Sequence, residues 1–487
     1  MLDLPRFERD AEAYCRAVAY QCYAAGAGLQ AVPALVALFQ DFGHLFRDDT
    51  YGELLDADLP PRQKQLLQDF VASGFFAERT AALTEQVAAR EAAATVPWDD
   101  QPVPLRQVPV LLANEPDARR RHELAAAHHR AVADLNSLYQ ERHRIQVESA
   151  SKLGADYLAL FDATRGLQLA DLAQAAQRYL ELSARPYFEA LDDLLTTIGM
   201  ARADAWLCDL VWLLRGRQFD PAFRSRTLLP VLYRAARELG LDLEAQSAIA
   251  VDIEPRPLKS PRPFCAALDV PHDVRMVLQP RGGRLDYLAL FHLAGQAEYF
   301  ANRDRTQPFA YRWVVDDGLL ESYGLLWTAL LREPAWLARY LELEAPADAV
   351  RIAHLERLYV SRRAAVAVLW ELQLHRGDDY DRLAVQYADL FTRELGVEHA
   401  RERFLVDTAD GLVGAQQFRA WIFEAQLRRY LQREYDPEWY RLPRVGRFLR
   451  DLWREGSKYS LEELARYLGY SGLDLRPLAE ELPAGVA

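Results

Sequence analysis

One periodicity governs this chain. Apolar residues recur at i, i+3, i+4 and i+7 over most of its length, which commits it to amphipathic helices packed on one another. The segments near 8–25, 30–47, 61–93, 117–150, 169–198, 203–214 and 224–239 carry that spacing, as do those near 317–332, 334–342, 347–375, 379–396 and 415–434. Ser460-Leu461-Glu462-Glu463 is a capping box that opens a last helix. With 487 residues, the chain suffices for two or three domains or for one large helical body with subdomains. Residues 95–116 interrupt the pattern with Pro97, Pro102, Pro104, Pro109 and Pro116. An N-terminal helical subdomain over 1–95, a proline-rich linker over 96–116 and a larger helical domain over 117–487 are therefore expected.

A single region reads as strand. Ile249–Glu254, Pro263–Leu268 and Arg275–Gln279 are short, rich in Val and Ile, and separated by turn residues. The turn Pro280-Arg281-Gly282-Gly283 follows, and a helix is expected from about Arg284. A small sheet beside such a helix can take an extended peptide by strand addition, although a purely structural hairpin is the plainer expectation.

Composition narrows the partners. The balance of 58 basic against 71 acidic residues gives a net charge of −13. That disfavours a phosphate-binding surface, so no nucleic acid is expected; cationic peptides are compatible with it. Cys15, Cys22, Cys208 and Cys265 show no metal-type clustering and suit a reducing compartment. The first ten residues carry acidic side chains and no apolar core, and no run of 18 apolar residues occurs. Neither a secretory signal nor a membrane span is expected, which makes a cytoplasmic location the default.

The chemistry-bearing stretch is His292-Leu293-Ala294-Gly295-Gln296. In His-Glu-x-x-His, two histidines one turn apart bind zinc and the intervening Glu is the general base. Here His292 stands alone: Leu293 occupies the position of the base and Gln296 that of the second imidazole. Glu321 follows on the next expected helix as a plausible third ligand, with Asp317 one turn before it. Asp317, Glu321 and Gln296 offer oxygen donors of the kind magnesium or calcium takes, but solvated or salt-bridged carboxylates are the plainer expectation.

The segment from Lys259 to Tyr340 resembles the oligoendopeptidase F and thimet oligopeptidase family of zinc metallopeptidases. Lys259 to Cys265, Gln279 to Gly283, His292 to Phe300, Asp316 to Gly324 and Pro334 to Leu337 carry the likeness, with Glu321 placed 29 residues after His292 as the family's third ligand is. The resemblance implies a mostly α, two-lobed helical body of zincin-like type, with a deep channel for short peptides and one small β-sheet beside the zinc helix. It also implies loss of the chemistry. An amide replaces an imidazole ligand and an aliphatic group replaces the base, whose absence alone costs about 10²–10⁴ in rate. Late in the chain, Gln417 and Phe418 stand where a tyrosine hydroxyl would be expected, and no His follows His399. No catalytic residue and no metal ligand are expected. His292, Leu293, Gln296, Glu321, Asp317 and Tyr323 then line a relic site, with zinc lost and a peptide or flexible protein segment as partner. A hydrolase with a rearranged site, other chemistry on a bound peptide, and a scaffold with a vestigial channel are the alternatives.

Other motifs carry less. His122-Glu123-Leu124-Ala125-Ala126 begins like the zinc motif but lacks its second His, so a solvated helix face is expected. Arg119-Arg120-Arg121 reads as an exposed basic run, and Tyr311, Trp313, Tyr323 and Trp327 as core aromatics. Gly26-Ala27-Gly28-Leu29-Gln30-Ala31 fits a dinucleotide fingerprint but follows a helical pattern where a strand is required.

Overall fold

The helical period is realised almost everywhere in the computed structural model, which describes residues 2–344 and 346–481. The long helices Pro61–Ala93, Leu169–Thr196, Ala347–Leu374 and Val413–Glu434 lie within about two residues of their expected bounds. Asp3, Asp117, Asp156 and Asp379 cap helix N-termini, each carboxylate accepting a backbone N–H of the first turn. The Ser460/Glu463 capping box forms as read. No helix among the described residues is long and apolar enough to cross a membrane.

Five short strands, β1 (Thr95–Trp98), β2 (Gln101–Pro104), β3 (Ile249–Asp252), β4 (Phe264–Asp269) and β5 (Asp273–Val277), make two small sheets. The β3–β5 sheet was expected from the sequence. β5 is its centre, parallel to β3 and antiparallel to β4. The β1–β2 hairpin was not expected, because its prolines read as breakers. Asp99 and Asp100 both take positive φ, giving a two-residue turn. Beyond the pair Trp98↔Gln101, Pro97 then faces Pro102, and Pro104 faces Thr95. Those are the non-hydrogen-bonded positions of the ladder, where a missing N–H costs no pairing.

The chain divides into two compact units. Among the described residues, the first comprises 2–75, 217–344, 346–351 and 419–478; the second comprises 76–216, 352–418 and 479–481. Four of these divisions fall inside helices and the fifth at Gly216, between two helical segments. The proline-rich stretch 96–116 is therefore no linker between units: it lies within the second, where it forms the hairpin and two short helical turns.

In the first unit, the helix Arg284–Ala301 (the His292 helix) lies against the helix Asp317–Ala329 (the Glu321 helix) and against β5. Tyr311, Trp313, Tyr323 and Trp327 are buried as expected. Gly26 and Gly28 serve close approach: a Cβ on Gly26 would meet the Phe264 ring at 2.6 Å, and one on Gly28 the Lys259 backbone nitrogen at 2.4 Å. Beside them the Lys259 ammonium is sealed from solvent and donates to the Asp252 carboxylate and to the carbonyls of Asp252 and Glu254.

The second unit corrects two expectations. Arg121 is buried, not part of an exposed run, because the helical phase turns it inward while Arg119 points to solvent. Its guanidinium donates twice to the fully buried Asp209, at 2.7 and 3.0 Å. His122 is not on a solvated face either. It stacks on Trp206 at 4.4 Å and meets Asp209 at 2.6 Å.

Candidate functional site

Two glycines set the geometry of the site. Gly295 on the His292 helix passes so close to the Glu321 helix that a Cβ there would lie 2.2 Å from the Tyr323 carbonyl oxygen. Gly324, on the facing helix, leaves room for the His292 ring, which a Cβ would meet at 2.5 Å. Small residues at such a crossing let backbones approach more closely than side-chain packing normally permits. The approach brings His292 and Glu321 together.

His292 Nε2 lies 3.2 Å from Glu321 Oε2 and 3.0 Å from the Gln296 side-chain amide. The three groups are half-buried. Burial works against the imidazolium, but the Glu321 charge and hydrogen bond outweigh it and raise the His292 pKa. Burial likewise opposes ionisation of Glu321, and His292 reverses that, leaving its carboxyl pKa lowered. The pair is therefore an ion pair in which His292 Nε2–H donates to Glu321, with the Gln296 side-chain amide beside the same ring nitrogen.

The remaining candidates are distributed around this triad. Leu293 is 3 % exposed and points into apolar packing. Asp317 occupies the first turn of the Glu321 helix. Its neighbour Asp316 caps that helix, accepting from the Leu319 N–H, and pairs with Arg62 at 2.9 Å. Tyr323 is fully buried, edge-on to Trp453 and beside Tyr299. His292, Gln296 and Glu321 thus converge, Asp317 lies one turn off, and Leu293 and Tyr323 belong to packing.

Zinc takes Cys, His and carboxylate ligands, three or four from the protein. The triad supplies one imidazole and one carboxylate, already hydrogen-bonded to each other, with an amide third. This donor set does not fit zinc. The one cluster of three metal-type side chains found among the described residues is His122, Cys208 and Asp209 in the second unit. There, both Asp209 oxygens are engaged by Arg121, His122 and the Trp206 backbone N–H.

A further residue escaped the sequence reading. Glu298, on the His292 helix, is fully buried and accepts from Gln246 and Asn302. Burial raises its carboxyl pKa to about 7. Its only sequence signal was a charge within the largely apolar stretch Leu290 to Phe300, where His292 and Gln296 are the other polar side chains. In the second unit a groove of about 850 Å³ opens between Trp206, His129, His399 and Glu398, and none of the candidate residues lines it.

No family model matches the chain, and no curated protein does. Solved structures do: a putative oligoendopeptidase F from Bacillus anthracis str. Ames superposes with a TM-score of 0.70 at 13% identity, covering 97% of this chain and 88% of that one. The chain therefore has an oligoendopeptidase-type, mostly helical fold, a likeness of architecture that extends over nearly its whole length.

Proposed function

We propose that this protein is a catalytically inactive metallopeptidase homologue that holds a peptide or a flexible protein segment in an oligopeptidase-type channel. The observation that carries the proposal is the closed triad: His292 Nε2 is committed to Glu321 and Gln296, and Leu293 puts an aliphatic side chain where a base would have to stand. A base within hydrogen-bond reach of a water is the minimum for peptide hydrolysis of this type, and its loss alone costs about 10²–10⁴ in rate. A missing zinc ligand adds weaker metal binding and lost water activation. The oligoendopeptidase-type fold supports the peptide-holding half of the proposal.

The decisive experiment combines metal analysis of the unchelated protein with cleavage of a quenched oligopeptide library, using Glu321→Ala as the control. The expectation is well under one zinc per chain and no cleavage above that control. Stoichiometric zinc together with cleavage that Glu321→Ala abolishes would refute it. For the binding half, mass spectrometry of the purified protein should find co-purifying peptides; none, with no binding from the library, would leave a scaffold function instead. The double variant Leu293→Glu/Gln296→His should gain zinc, because the helix crossing that places the ligands is retained.

A further inference from the structure

We infer that the stretch from Leu29 to Asp58 is a docking surface for a cationic amphipathic helix. Its centre is the helix Leu35–Phe42, in which Leu35, Val36, Ala37, Leu38, Phe39 and Phe42 are apolar, yet not one residue is buried. A surface helix of a globular protein normally buries its apolar stripe. Here the inward positions Leu35, Leu38, Phe39 and Phe42 are mostly covered, yet none reaches burial. Val36 stands open on the outer face, and Leu29 and Leu55, before and after the helix in the chain, are each more than half exposed.

The helix is nevertheless fixed in place. Phe39 and Phe42 each meet the Tyr14 ring at 5.8 Å. The preceding turn is pinned to Gln21, whose side-chain oxygen accepts from Gln30 at 2.8 Å and from the Ala34 N–H at 3.0 Å. An anchored element that buries none of its apolar residues, with exposed Leu29, Val36 and Leu55 along the same stretch, is a surface suited to a partner.

Charge selects the partner. Asp41, Asp48, Asp49, Glu53, Asp56 and Asp58 are all exposed along this stretch, and Arg47 is its only basic residue apart from His44. Residues 29–58 thus hold −5 of the chain's −13. A second copy would set one acidic stretch against another, and an anionic lipid surface would be repelled in the same way. A helix with apolar residues at i, i+3, i+4 and i+7 and lysine or arginine on its flanks satisfies both the exposed Leu29 and Leu55 and the acidic side chains of this stretch. This surface does not depend on the triad at His292.

The test is fluorescence anisotropy of the full chain with a labelled Leu/Lys peptide of amphipathic helical pattern, compared with a scrambled peptide of identical composition. The patterned peptide should bind saturably and at least about tenfold more tightly than the scrambled one. Val36→Glu with Leu29→Glu, both exposed positions, should weaken binding about tenfold with the circular dichroism spectrum unchanged, and Asp41→Asn with Asp56→Asn should reduce its salt dependence. Equal binding of the scrambled peptide, no binding, or indifference to Val36→Glu/Leu29→Glu would overturn the inference. So would a dimer, seen by light scattering, that the same variant dissociates.

Discussion

Replacing Gly295 by alanine sets two opposed effects against each other. In a helix interior, Ala is favoured over Gly by roughly 0.5–1 kcal/mol. Against this, the new methyl would lie 2.2 Å from the Tyr323 carbonyl oxygen, 2.7 Å from its carbon and 2.9 Å from Trp327 Cδ1. Ordinary contact begins near 3.4 Å, so the two helices must part by about 1 Å at their crossing. Overpacking costs about 1–3 kcal/mol, and backbone cannot relieve it by changing rotamer, so the upper end applies. Gly295→Ala should therefore lose about 2 kcal/mol net, read as a lower denaturant midpoint with unchanged slope. Gly324→Ala meets the His292 side chain instead of backbone, which can swing aside, so it should lose less stability while disrupting the His292–Glu321 pair. A Gly295→Ala protein as stable as the parent, or more so, would refute the close crossing and with it the account of how the triad is assembled.

Three further outcomes follow from buried groups and caps. Glu298 ionises near 4.5 when unfolded but only near 7 when folded, so its contribution to stability should be greatest below pH 4.5, fall through that window and level off above pH 7. Glu298→Gln should remove that slope and gain up to about 3 kcal/mol at pH 8, measured by urea unfolding against pH; a flat difference between the two proteins would contradict the assignment. Asp209→Ala leaves Arg121 buried without its carboxylate and should cost about 3–5 kcal/mol, while the paired change Arg121→Met/Asp209→Leu should recover most of it in thermal melts. Ser460→Ala removes the cap of the Leu461–Tyr467 helix and should cost about 1 kcal/mol, with amide exchange rising first in that helix.

Helices and the three-stranded sheet were legible because burial on one face writes a period into the sequence. The β1–β2 hairpin was not, because a proline is a breaker or a harmless guest depending on which way its nitrogen faces, and that follows from register. Arg121 was misread for a related reason: three arginines in a row look alike until the helix rotates each by 100°, and only Asp209, 88 residues later, explains why one goes inside. Four of the five unit boundaries left no mark because they fall within helices, where turn chemistry is absent; the fifth, at Gly216, is an ordinary turn between helical segments and looks like any other. At the site, the i, i+4 spacing of His292 and Gln296 announced a shared face. The meeting with Glu321 depended on Gly295 and Gly324, whose role is invisible until two helices cross.

Lysine is scarce in this chain, at positions 64, 152, 259 and 458 only, against 58 basic residues in all. Lys259 is the one whose amine is wholly enclosed, its three protons spent on Asp252 and Glu254. Amine-reactive reagents, and acetyltransferases alike, meet three lysine targets on the folded protein. Modification of the fourth records the moments at which the segment after β3 comes loose, so the rate at which Lys259 acquires a label is a clock for local opening beside the sheet.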